Sequence, residues 1–170
     1  MSGTSRGRVH CVQPAGNDTI ASALRAGANR AIAVDSKTNI SGLQVGGVLD
    51  GDEVIATCRR LGGQGYVVQD EAVLHWQQRL AQEEGVFSEP AGAVALAGLA
   101  EAAMRGEVGA DENVVCLVTG SGFKDERALV GMAGAEETPL LANFAVFSDR
   151  VRSSQAGNAA GGNRRGKVVN

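Results

Sequence analysis

Two short blocks hold most of the groups in this chain that could do chemistry. The first is Thr119-Gly120-Ser121-Gly122. Its threonine hydroxyl can donate to a ring nitrogen or accept from one, and its glycines let a flat ligand approach the backbone. It follows the apolar run Asn113–Val118, and ligands of open α/β sheets bind at the carboxyl ends of strands. An ordinary glycine-rich turn has the same composition. The second block is Glu89-Pro90, ahead of an alanine-rich run. A carboxylate there sits near the positive end of a helix and can face a cleft. It can equally serve only to stabilise the helix start.

Other groups are weaker. Lys37 lies in a polar loop, where a lysine is normally solvated. His10 and His75 are too isolated to act as ligands or bases. Gly42–Gly47 (GLQVGG) lacks the G-x-G-x-x-G spacing and is weak evidence for a phosphate site. No Ser-His-Asp set and no Cys/His cluster occurs, so no catalytic side chain and no metal ligand is assigned.

The elements that must position these blocks follow from periodicity. Arg8–Gln13 alternates apolar and polar and predicts a strand stopped by Pro14. Asn17 and Asp18 are expected to cap a helix running to about Arg25, with Gly27 as its stop. Arg30–Val34 is expected as a second strand and Asp35–Gly47 as a loop. Asp50 and Asp52 precede an amphipathic helix, Glu53–Leu61, with acids in its first turn and Arg59-Arg60 in its last, both matched to the dipole. Gly65–Gln69 predicts a strand, and Asp70 is expected to cap a helix over Glu71–Glu84. There Val73, Trp76 and Leu80 recur at helical spacing.

Pro90 suits the first turn of a helix reaching about Arg105. That helix is apolar on nearly every face, which predicts burial. Asn113–Val118 (NVVCLV) is continuously apolar, as expected for the middle strand of a parallel sheet, and a short helix should follow Gly122. Strands alternating with helices predict an α/β fold with helix-sheet-helix layering and a mostly parallel sheet. Residues 1–8 read as a leader, 9–149 as one domain, and 150–170, rich in Ser, Asn, Gly and Arg, as a disordered tail. Asn143–Phe147 has an apolar pattern with no assigned element.

Bulk properties narrow the function classes. A length of 170 residues suits one domain. Aromatics at 4% against 24 glycines favour close helix-on-sheet packing over an aromatic-cored sandwich. A formal charge of -3 gives no global attraction to nucleic acid or to anionic membranes. Three widely spaced cysteines, Cys11, Cys58 and Cys116, support neither a disulfide framework nor a zinc site. A reducing, cytoplasmic location is expected. Met1–Val9 has no apolar signal core, and no run of the roughly 18 apolar residues that a membrane crossing needs is present.

In combination the blocks become specific. GGQGYVVQDEAVL, LAQEEGVFSEPAGAVALAGLAEA and VVCLVTGSGFKD occur in that order. Together they resemble the C-terminal part of threonine synthase and its relatives, the fold-type-II pyridoxal-phosphate enzymes. The resemblance runs from about Val9 to Asp125 and is sharpest over Glu83–Ala93 and Thr119–Asp125. KTNISGLQVG (Lys37–Gly46) is similar to a family loop, less closely.

The resemblance implies a fold, that of the C-terminal half of the large domain in such an enzyme, and a cofactor, pyridoxal phosphate. It places Thr119 opposite the pyridine nitrogen with Gly120 beside it, and Glu89 on the cofactor side of the cleft. A neutral hydroxyl at that nitrogen suits β- or γ-elimination or replacement on a small amino-acid substrate, such as conversion of O-phosphohomoserine to threonine. The family's Schiff-base lysine and much of its phosphate loop lie N-terminal to these motifs. None of this chain's lysines, Lys37, Lys124 and Lys167, matches that site. The resemblance therefore implies a chain inactive alone, which pairs with a complementary N-terminal half or self-associates. A non-catalytic ligand-binding or regulatory module, or a truncated gene fragment, would have the same sequence.

Overall fold

The computed structural model describes residues 7–133, 148, 149 and 152. The chain divides into two units, Met1–Gly134 and Ala135–Asn170. In the first, strands β1 (Cys11–Pro14) and β2 (Gly65–Val68) pair in parallel, with Cys11 opposite Gly65 and Pro14 opposite Val68. Between them come helices α1 (Ala21–Arg25) and α2 (Gly51–Arg60). After β2 follow α3 (Asp70–Glu84) and α4 (Pro90–Met104). A single 3-10 turn, Gly122–Lys124, leads into α5 (Glu126–Ala133). In the second unit, Arg152 pairs with Asp149 at 3.9 Å. The tail residues other than Arg152, the pattern at 143–147 and Lys167 lie outside the described residues.

The layering follows from the two-residue period of β1. Successive strand side chains point to opposite faces. Cys11 joins a core of Ile20, just before α1, Leu24 of α1, and Ile55 and Cys58 of α2. Val12 joins a second core of Val68, Val73, Ala93 and Ala97, built largely from α3 and α4. The sheet is thus sandwiched between two helical layers, and the expected α/β architecture is observed. Glycine sets the closeness of the layers. A β-carbon on Gly98 would collide with the Val12 methyls, so α4 lies on β1 at a spacing that only glycine allows there.

Several local expectations change. The start of α1 is not capped by Asn17 or Asp18. Gln13, reaching from β1, accepts from the N–H groups of Ile20 and Ala21, each at 2.8 Å. Asn17 is buried and instead donates its amide to the carbonyls of Leu43 and Val45 at 2.6 and 2.9 Å. Asp70 is the first residue of α3 rather than its cap, and its carboxylate reaches sideways to the 38–39 loop. The end of α3 is as read: Gly85 takes a left-handed φ of 69°.

Two expected strands are absent. Residues 30–34 make single bonds to different segments, Ile32 N–H to Thr19 C=O and Val34 N–H to Gly46 C=O, so no ladder forms. Residues 113–118 form no strand and are unpaired. Their apolar run is that of an inner strand, yet the described residues offer it no neighbouring strand. No helix among the described residues is long and apolar enough to cross a membrane.

Candidate functional site

The two blocks singled out by sequence meet in space. Phe87–Glu89 runs antiparallel to Gly120–Gly122. Ser88 faces Ser121 in a β-bridge, Glu89 N–H donates to Gly120 C=O at 2.9 Å, and Gly122 N–H donates to Phe87 C=O at 3.1 Å. Phe87 and Phe123 close the outer end with rings edge to face at 5.0 Å. From behind, the fully buried Gln77 of α3 donates its amide to Ser88 C=O at 2.8 Å.

Glu89 is the N-cap residue of α4, but its side chain makes no cap bond. Its Oε1 accepts instead from Gly120 N–H at 3.1 Å. The carboxylate is thus turned across the gap onto the glycine loop. A β-carbon on Gly120 would overlap that carboxylate, so glycine is required for the contact.

Thr119 stands at the carboxyl end of the apolar run 113–118. Its side chain is exposed, and its hydroxyl has no hydrogen-bond partner among the described residues. The first turn of α4 lies against it: a β-carbon on Gly92 would come within 3.1 Å of Thr119 N. One residue earlier in α4, the Ala91 methyl lies 3.5 Å from where a β-carbon on Gly42 would be. The loop of Lys37–Gly46 therefore reaches the same helix start.

Asp70 holds that loop. Its Oδ1 accepts from the Thr38 hydroxyl at 2.6 Å and its Oδ2 from Asn39 N–H at 2.7 Å. The loop is also tied to the end of β1, where Lys37 N–H donates to Gly16 C=O at 2.8 Å. Sequence reading gave Asp70 a different role and missed Gln77; a polar residue at an apolar helical position, 77 between 73 and 80, was the available signal for the latter. Gly42 also lines a cavity of about 380 Å³ with Pro14, Asn17, Ile20 and Val48, in which Glu89, Thr119 and Gly120 take no part. Lys37 and Lys124 are both exposed.

The cysteines are distant from nucleophile chemistry. All three are free. Burial, and next the neighbouring Cys58, push the Cys11 thiol up to about 12. Among the described residues no group of His, Cys, Asp and Glu could hold a metal ion.

Residues 2–120 match the profile described as pyridoxal-phosphate dependent enzyme, and the chain belongs to that family. It is similar to the threonine synthase of Methanosarcina acetivorans, with 31% identity over 149 residues, covering 87% of this chain and 36% of that protein. It is similar also to the threonine synthase of Methanocaldococcus jannaschii, with 33% identity over 104 residues, 61% of this chain and 25% of the other. The chain thus spans about a third or less of these relatives. Among solved structures, the T.th. threonine deaminase aligns over 57% of this chain and 35% of its own, at 26% identity and a TM-score of 0.46. Maize serine racemase aligns over 54% and 27%, at 26% identity and a TM-score of 0.44.

Proposed function

We propose that this chain forms one wall of the cofactor cleft in a pyridoxal-phosphate-dependent lyase of the threonine synthase type. The observation that carries this reading is the Thr119 hydroxyl, exposed and without a partner among the described residues at the end of the apolar run, next to an amide already occupied by Glu89. A neutral, free hydroxyl fits the ring-nitrogen end of the cofactor. Thr119 would hold that nitrogen, and Gly120 and Gly92 would leave room for the flat ring. When bound, the group supplies an electron sink for a carbanion next to an amino group.

The residues of this chain have supporting tasks. Thr119 orients the ring without placing a full charge on it. Glu89 fixes the glycine loop and so fixes Thr119. Asp70, through Thr38 and Asn39, holds the loop that carries Gly42 over the start of α4. The cofactor-bearing lysine would come from the part of the family domain that this chain does not span, in the same or a complementary polypeptide, since neither Lys37 nor Lys124 matches the family's site. The reaction of the assembled enzyme would be elimination or replacement on a small amino acid. A cytoplasmic location is consistent with three free thiols.

The test is to isolate the chain from its own cells and record its native mass with and without borohydride. A pyridoxyl group fixed to a lysine of a co-purifying polypeptide is expected, with cofactor absorbance shifted by Thr119→Val. A chain that runs alone, with no adduct on any lysine, would leave only a non-catalytic module.

A further inference from the structure

Ser88 and Ser121 stand opposite each other, but the bonds across the gap come from their neighbours, Glu89 to Gly120 and Gly122 to Phe87. Opposite residues in antiparallel pairing exchange either both backbone bonds or none. Ser88 is of the second kind, so its own C=O points away from Ser121. Gln77 of α3 meets it there, donating from Nε2 at 2.8 Å.

Gln77 lies on the buried stripe of α3 between Val73 and Leu80, a place that an apolar side chain ordinarily fills. Burying an amide is costly unless it is bonded. Among the described residues the Gln77 side chain has one bond, the one to Ser88, and its Oε1 has none. Stability therefore does not account for a glutamine at this position, whereas control of Ser88 does.

Ser88 in turn bears on Thr119. A β-carbon on Gly92 would lie 3.2 Å from Ser88 Cβ, 3.1 Å from Thr119 N and 3.5 Å from Thr119 Oγ1, so the serine and the threonine flank the same glycine. Glu89, next to Ser88, holds both backbone groups of Gly120, next to Thr119. We propose that Gln77 is a positioning residue for the Thr119 hydroxyl: from the core side of α3 it fixes residues 87–89, and these fix 119–122. It makes no bond to Thr119 itself. The inference deepens the functional reading above and rests on it for the task of Thr119.

The experiment uses the full chain, labelled for NMR, as the parent, Gln77→Met and Gln77→Glu. Methionine keeps the length of the side chain and removes the donor. Glutamate restores a donor only while its carboxyl is protonated, which burial favours. Amide exchange is read at Glu89, Gly120 and Gly122, always against the parent at the same pH. In Gln77→Met these three amides should exchange at least ~10-fold faster, with β1 and β2 unchanged. In Gln77→Glu they should keep the parent rate at about pH 5 and lose it by about pH 9, as the buried carboxyl ionises. The Thr119 methyl resonance should shift with them.

Parent rates at the three amides in Gln77→Met overturn the inference, as does a glutamate variant without that pH profile. If methionine loosens the whole fold, Gln77→Glu decides alone. Protection lost at the three amides before β1 and β2 supports the inference, and loss everywhere together overturns it. No readout here uses the cofactor. A chain that yields no pyridoxyl adduct in the borohydride test, yet shows this pH profile, keeps the link from Gln77 to Thr119 and overturns the functional reading. An adduct beside amides indifferent to Gln77 does the reverse.

Discussion

Glu89 and Gly120 hold each other twice. The Glu89 N–H donates to the Gly120 carbonyl at 2.9 Å, and the Gly120 N–H donates to the Glu89 carboxylate at 3.1 Å. The glutamate that sequence placed facing a cleft is thus engaged with the backbone of the block that follows 31 residues later. Its charge-assisted bond is of the stronger kind.

Glu89→Ala removes the acceptor and leaves a part-buried N–H without a partner, a loss of ~1–3 kcal/mol. Glu89→Gln keeps an oxygen in place and should retain most of the stability. Urea melts of the three proteins check this; an alanine variant as stable as the parent would show the side-chain bond to be idle.

Gly98→Ala tests the layer spacing. Its methyl would press into Val12, and overpacking of this kind costs ~1–3 kcal/mol. The alanine gain in helix propensity, about 1 kcal/mol, offsets part of that. A variant that melts higher than the parent would mean that α4 can move off β1 freely.

Asp70→Ala removes two acceptor bonds to the 38–39 loop. The Asn39 amide should exchange with solvent hydrogen at least ~10-fold faster, while the amides of β1 and β2 keep their rates. Equal exchange at Asn39 in both proteins would show that the loop is held by its bonds to Gly16 and Asn17 without Asp70.

His10 gives a pH dependence. Burial, and next Arg8, hold its imidazole below the usual 6.5. Its Nδ1 also accepts from Gln64 N–H at 3.2 Å, which requires the neutral ring. The unfolded chain therefore binds this proton more readily than the folded one. Its contribution is complete above the unfolded value and declines as pH falls through 6.5 toward the lower folded value. The urea midpoint should drop between about pH 7.5 and about pH 5, roughly one unit or more either side of the ordinary histidine range. His10→Asn should flatten that drop. A variant with an unchanged slope would remove His10 as the cause.

The Cys11 thiol, pushed up to about 12, should resist iodoacetamide at about pH 8 in the folded chain and react on unfolding. Mass spectrometry of native and denatured samples reads this directly. Ready native labelling at Cys11 would contradict its burial against α1 and α2.

The two blocks that meet in space were easier to single out in sequence than the sheet was. The Glu89 and Thr119 blocks stood out as two uncommon motifs in a fixed order, although their pairing with each other was not read from them, and α3 and α4 were marked by plain helical signals such as Pro90 and Gly85. Residues 30–34 and 113–118 have the apolar content of strands, but a strand exists only where another backbone lies alongside, and a local pattern carries no information about that neighbour. Caps failed for a related reason. Gln13 serves α1 from across the sheet, leaving Asn17 for the 43–45 carbonyls, and such exchanges depend on tertiary placement rather than on adjacency.

The tethers at either end of 113–118 have an entropic consequence. Ordering one backbone residue costs ~1–2 kcal/mol. With Glu112 paired to Arg8 and Gly120 held by Glu89, the residues between are tied at both ends by the fold. Fewer conformations are left for 113–118 to lose when its path is fixed, because closing a segment between two held ends has already removed part of its freedom.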